Sequence, residues 1–136
     1  MIDKKIIHTS GKRKTSIARA TIKPGKGIIR INHQLLDCMT DKFSQMKIRE
    51  PLILAGDIGN KVDISVKVNG GGFQSQTEAS RLAIARGLLE YSGKNLELKK
   101  KLLDYDRHLL VADVRHKEMC KPNDSKARAK RQKSYR

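Results

Sequence analysis

Between Val62 and Val68 the chain alternates without a break: Val62, Ile64, Val66 and Val68 are apolar, while Asp63, Ser65 and Lys67 are polar. A period of two sends the two sets to opposite faces of a β-strand. A slip by one residue would bury the charges, so the register is well specified too. Ser16–Lys23 repeats the pattern less strictly, with Ala18, Ala20 and Ile22 against Arg19, Thr21 and Lys23 and with Ile17 out of step. Residues 5–10 and 14–23 both read as Ile- and Thr-rich strands, broken by the basic run Gly11-Lys12-Arg13-Lys14. Lys23-Pro24-Gly25-Lys26 predicts a type II turn, because Pro presets the first central dihedral and Gly supplies the positive φ. Residues 27–32 then return as a strand, and the two sides of the turn form a hairpin.

The spacing changes after residue 34. Leu35–Met39 reads as a short helix, and Phe43, Met46 and Ile48 suggest a second. Pro51 would break a continuous helix but suits the first turn of a new one over Glu50–Ala55. Gly56 and Gly59 end that run. Asn69-Gly70-Gly71-Gly72 turns the chain into the main helix, Ser75 to Tyr91, where Ser75 and Glu78 have capping-box spacing. Ala79, Leu82, Ala83, Arg86 and Leu89 fall on one stripe, with Arg86 at its edge. Ser92-Gly93 stops it. Asn95 caps a further helix with Leu96, Leu98, Leu102 and Leu103 inward, and Leu109–Ala112 predicts a last short buried strand. The expected fold class is α+β, a sheet of about four strands packed with helices.

Charge divides the chain differently. Of its 136 residues, 1–34 hold nine basic groups and one acid, 35–114 hold twelve and eleven, and 115–136 hold nine and two. The net charge of +16 therefore sits at the two ends of a nearly neutral middle. Between Lys126 and Arg136 there are six basic residues and no acid, and Tyr135 is the only strong hydrophobe after Cys120. Such a segment cannot bury enough apolar area to offset its ordering, so alone in water it should be disordered. The expected organisation is one α+β domain over residues 1–114 and an extended basic tail over 115–136. Segregated positive charge points to a nucleic-acid partner. With five aromatics and no Trp, the chain lacks a base-stacking platform, so contact with phosphates is the expected mode. Charge alone also admits a DNA-compacting, chromatin-type protein.

Little else suggests chemistry. Gly70-Gly71-Gly72 before a helix start could be a plain turn, a phosphate contact or a nucleotide pocket. The P-loop pattern GxxxxGK[ST] and the dinucleotide pattern GxGxxG are both absent. Asp104, Asp106 and His108 lie in a polar connection with no sign of the burial that acid–base work needs. Cys38 and Cys120 are far apart and form no CxxC, which leaves zinc without ligands and suits reduced cytoplasmic thiols. No stretch approaches the roughly 20 apolar residues of a membrane span. No cofactor is expected, and no enzyme.

Three blocks in order resemble the family of small-ribosomal-subunit protein nine, whose eukaryotic member is called protein sixteen. They are Gly11-Lys12-Arg13-Lys14-Thr15-Ser16-Ile17-Ala18-Arg19-Ala20, then Val66-Lys67-Val68-Asn69-Gly70-Gly71-Gly72 with Gln76, Ala79, Arg81 and Ala83 to Leu88, and the ending Arg131-Gln132-Lys133-Ser134-Tyr135-Arg136. The ending and Leu110-Val111-Ala112-Asp113 resemble the archaeal and eukaryotic branch. Ser75 and Val114 depart from it, standing where the family usually has Gly and Pro. The resemblance implies the fold of the second domain of ribosomal protein five, with a left-handed β-α-β crossover. It implies a site on rRNA in the head of the small subunit, near head proteins seven, ten and fourteen, and a role in translation in the cytoplasm. It also implies rRNA contact by Lys12, Arg13, Lys14, Arg19, Gly70, Gly71, Gly72, Arg81, Arg115, Lys117, Lys121, Lys126, Arg128 and Lys130. Contact with the anticodon stem-loop of peptidyl-site tRNA would fall on Arg131, Lys133, Ser134, Tyr135 and Arg136.

Overall fold

A computed structural model describes residues 6–122 and 127–128. The chain forms strands β1 (Ile7–Arg13), β2 (Ser16–Pro24), β3 (Ile29–Ile31) and β4 (Gln34–Leu35). Helices α1 (Lys42–Ala55) and α2 (Asp57–Asn60) follow, then β5 (Val62–Asn69), α3 (Phe73–Tyr91) and α4 (Leu96–Tyr105), with 3-10 turns at Leu36–Cys38 and Arg107–Leu109. The expected α+β class holds. The sheet has five strands in the order β1-β2-β5-β3-β4, the fifth being the two-residue β4.

β5 sits at the centre and burial along it alternates strictly, Val62, Ile64, Val66 and Val68 inward. Its position overturns one expectation. β2 and β3 are not a hairpin; β5 lies between them, antiparallel to β2 and parallel to β3. The Pro24-Gly25 corner instead ties to β5: the Gly25 amide donates to Lys61 O, and the Lys26 and Ile28 amides donate to Asp63 Oδ1. The β3–α1–β5 connection is the parallel crossover of the sheet. The first hairpin is β1–β2, and β1 runs on through Gly11-Lys12-Arg13, where a break was expected.

Both large helices lie on one face. α3 comes close to β1 and β2 because the facing residues are small: Gly11, Ala18 and Ala20 meet Ala79 and Ala83. A Cβ on Gly11 would lie 2.2 Å from Ala79 O and 2.8 Å from Ala83 N, so no other residue fits there. Thr9 Oγ1 donates to Ala83 O at 2.8 Å across the same seam. Ile22, Ile31, Ile48, Ile64, Ile84 and Leu88 fill the core between the layers, each such side chain stabilising the fold by about 1.5–3 kcal/mol.

Three helix expectations change. Residues 42–55 form a single helix with Pro51 buried inside it. The proline lacks one hydrogen-bond donor, and the helix is retained because Ser44, Ile48 and Pro51 all pack inward. α3 starts at Phe73 with Gly72 as its N-cap, so Ser75 and Glu78 form no capping box. Leu109 is buried in a 3-10 turn, and residues 109–112 form no strand. In α4, Asn95 caps as expected and Leu98 and Leu102 are buried, but Leu96 and Leu103 are exposed. From Val114 to Pro122 there is no regular helix or strand and every side chain is exposed.

Candidate nucleic-acid interface

The basic run and the triple glycine, more than fifty positions apart in the sequence, meet at one end of the sheet. β1 and β2 are joined by Lys14-Thr15, with Lys14 in the left-handed region at φ 51°. Directly beneath, Ser16 Oγ donates to Gly70 O at 2.8 Å, and Gln76 Nε2 donates to the same carbonyl at 3.1 Å. Gly70 and Gly71 have φ of 77° and 65°. A Cβ on Gly71 would lie 2.1 Å from Ser16 Oγ and one on Gly70 2.6 Å from Thr15 O. The glycines therefore let the loop close onto the hairpin. Gly72 faces open space, and no side chain caps the first amides of α3. Free amides at a helix start, beside exposed Lys12 and Lys14, are suited to an anion.

The expected phosphate-binding residues divide into two groups. Lys12, Lys14 and Arg19 are exposed, and none forms an ion pair among the described residues. Arg13 and Arg81 are turned inward. Arg13 Nε donates to Glu78 Oε2 at 2.6 Å, and its Nη1 lies 3.3 Å from Asp113 Oδ2. Arg81 bridges Glu50 and Asp106, the latter at 2.7 Å. Their side chains are 16% and 11% exposed, so these guanidinium groups brace the fold and are largely withdrawn from solvent. Charge count could not separate them from Lys12. For Arg13 the alternation of β1 does so, since Ile7, Thr9, Gly11 and Arg13 share the inward face; Arg81 lies on α3, where that period does not apply.

Asp113 fixes the start of the basic segment. Arg115 donates to it from its backbone amide at 3.0 Å and from Nη2 at 2.6 Å. That side-chain bond, supported by the amide and by the charges of Arg115 and Arg13, holds the Asp113 carboxyl far below the usual range. Arg86, at the edge of its stripe as expected, donates to Leu110 O at 3.0 Å and Ser10 O at 2.9 Å, clasping the same connection to β1. Beyond it Lys117 and Lys121 are exposed, and Arg128 Nε donates to Glu118 Oε2 at 2.8 Å. Lys126, Lys130, Arg131, Lys133, Ser134, Tyr135 and Arg136 lie outside the described residues.

The cleft lined by Glu50, Glu78, Tyr105, Asp106, His108 and Asp113 also holds Arg13, Lys47, Arg81 and Arg115, so its carboxylates are matched by cations. Burial raises the Asp106 carboxyl, but the His108 amide and the Arg81 guanidinium outweigh it and leave the group below its ordinary value. A general acid needs the opposite shift. Among the described residues no group of His, Cys, Asp and Glu could hold a metal ion, and no helix is long and apolar enough to cross a membrane.

A profile of ribosomal protein S9/S16 matches residues 11–136. The small ribosomal subunit protein uS9 of Methanococcus maripaludis strain C7 is 52% identical over 134 residues, which is 97% of this chain and 99% of the relative. That of Methanococcus vannielii is 51% identical over the same share of both chains. Matches of that extent, in the order of the motifs described above, decide against a DNA-compacting protein. The chain belongs to the ribosomal protein S9/S16 family, in its archaeal branch, and is a structural, non-enzymatic constituent of the ribosome.

Proposed function

We propose that this protein binds rRNA in the head of the small subunit through two cationic regions held on a near-neutral body, and that its C-terminal tail reaches peptidyl-site tRNA. The carrying observation is the Ser16–Gly70 bond, which joins the Lys12–Lys14 hairpin to the uncapped start of α3. On this reading Lys12, Lys14, Arg19 and the Gly70–Gly72 amides contact rRNA phosphates, as do Arg115, Lys117, Lys121, Lys126, Arg128 and Lys130. Arg13 and Arg81 position the body. Residues 1–114 act as the anchored domain and 115–136 as the tail, with Arg131, Lys133, Ser134, Tyr135 and Arg136 at the tRNA. Head proteins seven, ten and fourteen are the proposed neighbours, in cytoplasmic ribosomes.

Phosphate contacts fix position and carry little base information, so affinity falls steeply with salt. Reach is sufficient, since eleven extended residues span at most roughly 36–40 Å. Deleting Ser134–Arg136 should leave subunit assembly nearly intact and weaken tRNA retention in the peptidyl site. Unchanged tRNA affinity in filter binding at several salt concentrations would overturn the tail assignment.

A further inference from the structure

We infer that the helix-free face of the sheet is a second rRNA-binding platform, built on a band of exposed cations with Lys12 on β1, Arg19 on β2, Lys67 on β5 and Arg30 on β3. The inference rests on the rRNA reading above and adds a surface to it.

The strand registers define this face row by row. Ser10, Arg19 and Lys67 are paired across β1, β2 and β5. The next row toward the basic hairpin is Lys12, Ile17 and Asn69, and the next away from it is His8, Thr21, Ser65 and Arg30. Lys12, Arg19, Arg30 and Lys67 are all exposed, because both large helices occupy the other side of the sheet. Asp63 is the one acid on the face among the described residues. Its carboxylate accepts the Ile28 and Lys26 amides, which hold it ionised below its ordinary value. Its charge is engaged at the Pro24-Gly25 corner, where Lys23 is its cross-strand partner and Arg30 adds an attraction, so it stands opposite neither Arg19 nor Lys67.

Arg19 and Lys67 decide the matter. They are direct cross-strand partners on adjacent antiparallel strands, where side chains stand about 4.5–5.5 Å apart and like charges are destabilising. Neither makes a hydrogen bond or ion pair with another described side chain. An isolated soluble sheet would place an acid opposite one of them. A strand of phosphates removes the repulsion and uses both charges. The surroundings suit the same partner: Ser10 and Ser65 offer hydroxyl donors, while the Thr21 hydroxyl is bonded to His8 Nδ1 at 3.1 Å. Ile17 is the only large hydrophobe on these rows and there is no aromatic, so an apolar protein surface would find little to bury.

The test uses the full chain with a small-subunit rRNA transcript, comparing wild type with Lys67→Ala and with the Arg19→Ala/Lys67→Ala double variant. Removing two like charges that face each other should leave the melting temperature unchanged or raised. The log–log salt slope of transcript binding should fall by roughly 0.7–0.9 for each phosphate contact removed. A double variant that folds and binds the transcript with wild-type affinity and slope would overturn the platform and leave the rRNA reading standing. Wild-type chain that fails to bind the transcript would overturn both. Should the double variant melt early, Lys67→Gln alone keeps the question open to the same measurement, with an unchanged slope again counting against the platform.

Discussion

Arg13 Nε and Glu78 Oε2 lie 2.6 Å apart, joining the last residue of β1 to the second turn of α3. Lys47 Nζ approaches the other oxygen of the same carboxylate at 3.7 Å, and Arg13 Nη1 reaches Asp113. One arginine of the basic run thus links a strand, a helix and the start of the tail, while its neighbours Lys12 and Lys14 face solvent. Adjacent residues on a strand point to opposite faces, so three consecutive cations need not share a role.

Arg13→Ala and Lys14→Ala should therefore fail in different ways. The first leaves Glu78 and Asp113 without their shared partner. It should cost about 1–2 kcal/mol, below the value for a fully buried pair because Glu78 is 37% exposed. The second should leave stability within about 0.5 kcal/mol and lower rRNA affinity with a shallower salt slope. Urea titration and filter binding on the same preparations separate the two.

Lys14 offers a sharper form of that comparison. A non-glycine residue at φ 51° is strained, so Lys14→Gly relieves the backbone while removing the charge. Thermal stability should hold or rise as RNA affinity falls. Loss of both together would show that the side chain stabilises the turn.

The Ser16–Gly70 contact predicts how the loop fails. Ser16 is fully buried, so Ser16→Ala removes a donor from Gly70 O and should cost about 1 kcal/mol, Gln76 still serving that carbonyl. Gly71→Ala should cost more, since the new methyl would meet Ser16 Oγ at 2.1 Å and the φ of 65° disfavours it. Both variants should weaken rRNA binding beyond what their charge, which is unchanged, would explain. Chemical denaturation and filter binding check the two halves.

How much of this was legible in the sequence depends on whether the deciding interaction was local. β5 and the inward face of β2 follow from alternation, and the Asn95 cap follows from residue type and spacing. The β2–β3 hairpin fails as an expectation because a turn signature says that the chain reverses, and says nothing of a distant strand slotting between its arms. Backbone grounds alone make Pro51 a boundary, but burial of the surrounding side chains outweighs one missing donor. Glu78 had the spacing of a capping residue and serves Arg13 instead, a partner 65 positions away. The open cationic face needed the strand order, since Arg19 and Lys67 become neighbours only once β2 and β5 pair.

Acid should destabilise the fold through a few carboxylates. Asp113, Asp63, Asp41 and Asp106 all titrate below their ordinary value of 3.8 in the folded chain. Below that pH the unfolded chain binds more protons than the folded one. The stability these groups contribute is complete above pH 3.8 and is lost as pH falls through the folded values. Asp63→Asn should lower stability at pH 7, because the charge that attracts the Lys26 and Ile28 amides is gone, and should flatten the acid limb of the stability curve. Melting temperatures between pH 7 and pH 2 would show it; an acid limb as steep as wild type would mean that Asp63 carries no such linkage.

Asn32 completes the central sheet where β3 ends. Its Oδ1 accepts the Val68 amide at 2.9 Å, its Nδ2 donates to Val68 O at 3.1 Å, and its own amide donates to Val66 O. A side-chain amide thus extends the β3–β5 ladder while the backbone, at φ 47°, has already begun the turn into β4. Asn32→Gly isolates the hydrogen bonds, since glycine accepts that φ without strain. Relief of strain alone would stabilise the variant. Loss of both bonds, with Val68 buried at 3% exposure, should outweigh it and leave the protein about 1–2 kcal/mol less stable. Amide hydrogen exchange at Val68 should speed up in the same variant. A stability equal to or above wild type, with Val68 still protected, would mean that β5 is held by β2 alone at this position and that the Asn32 bridge is incidental.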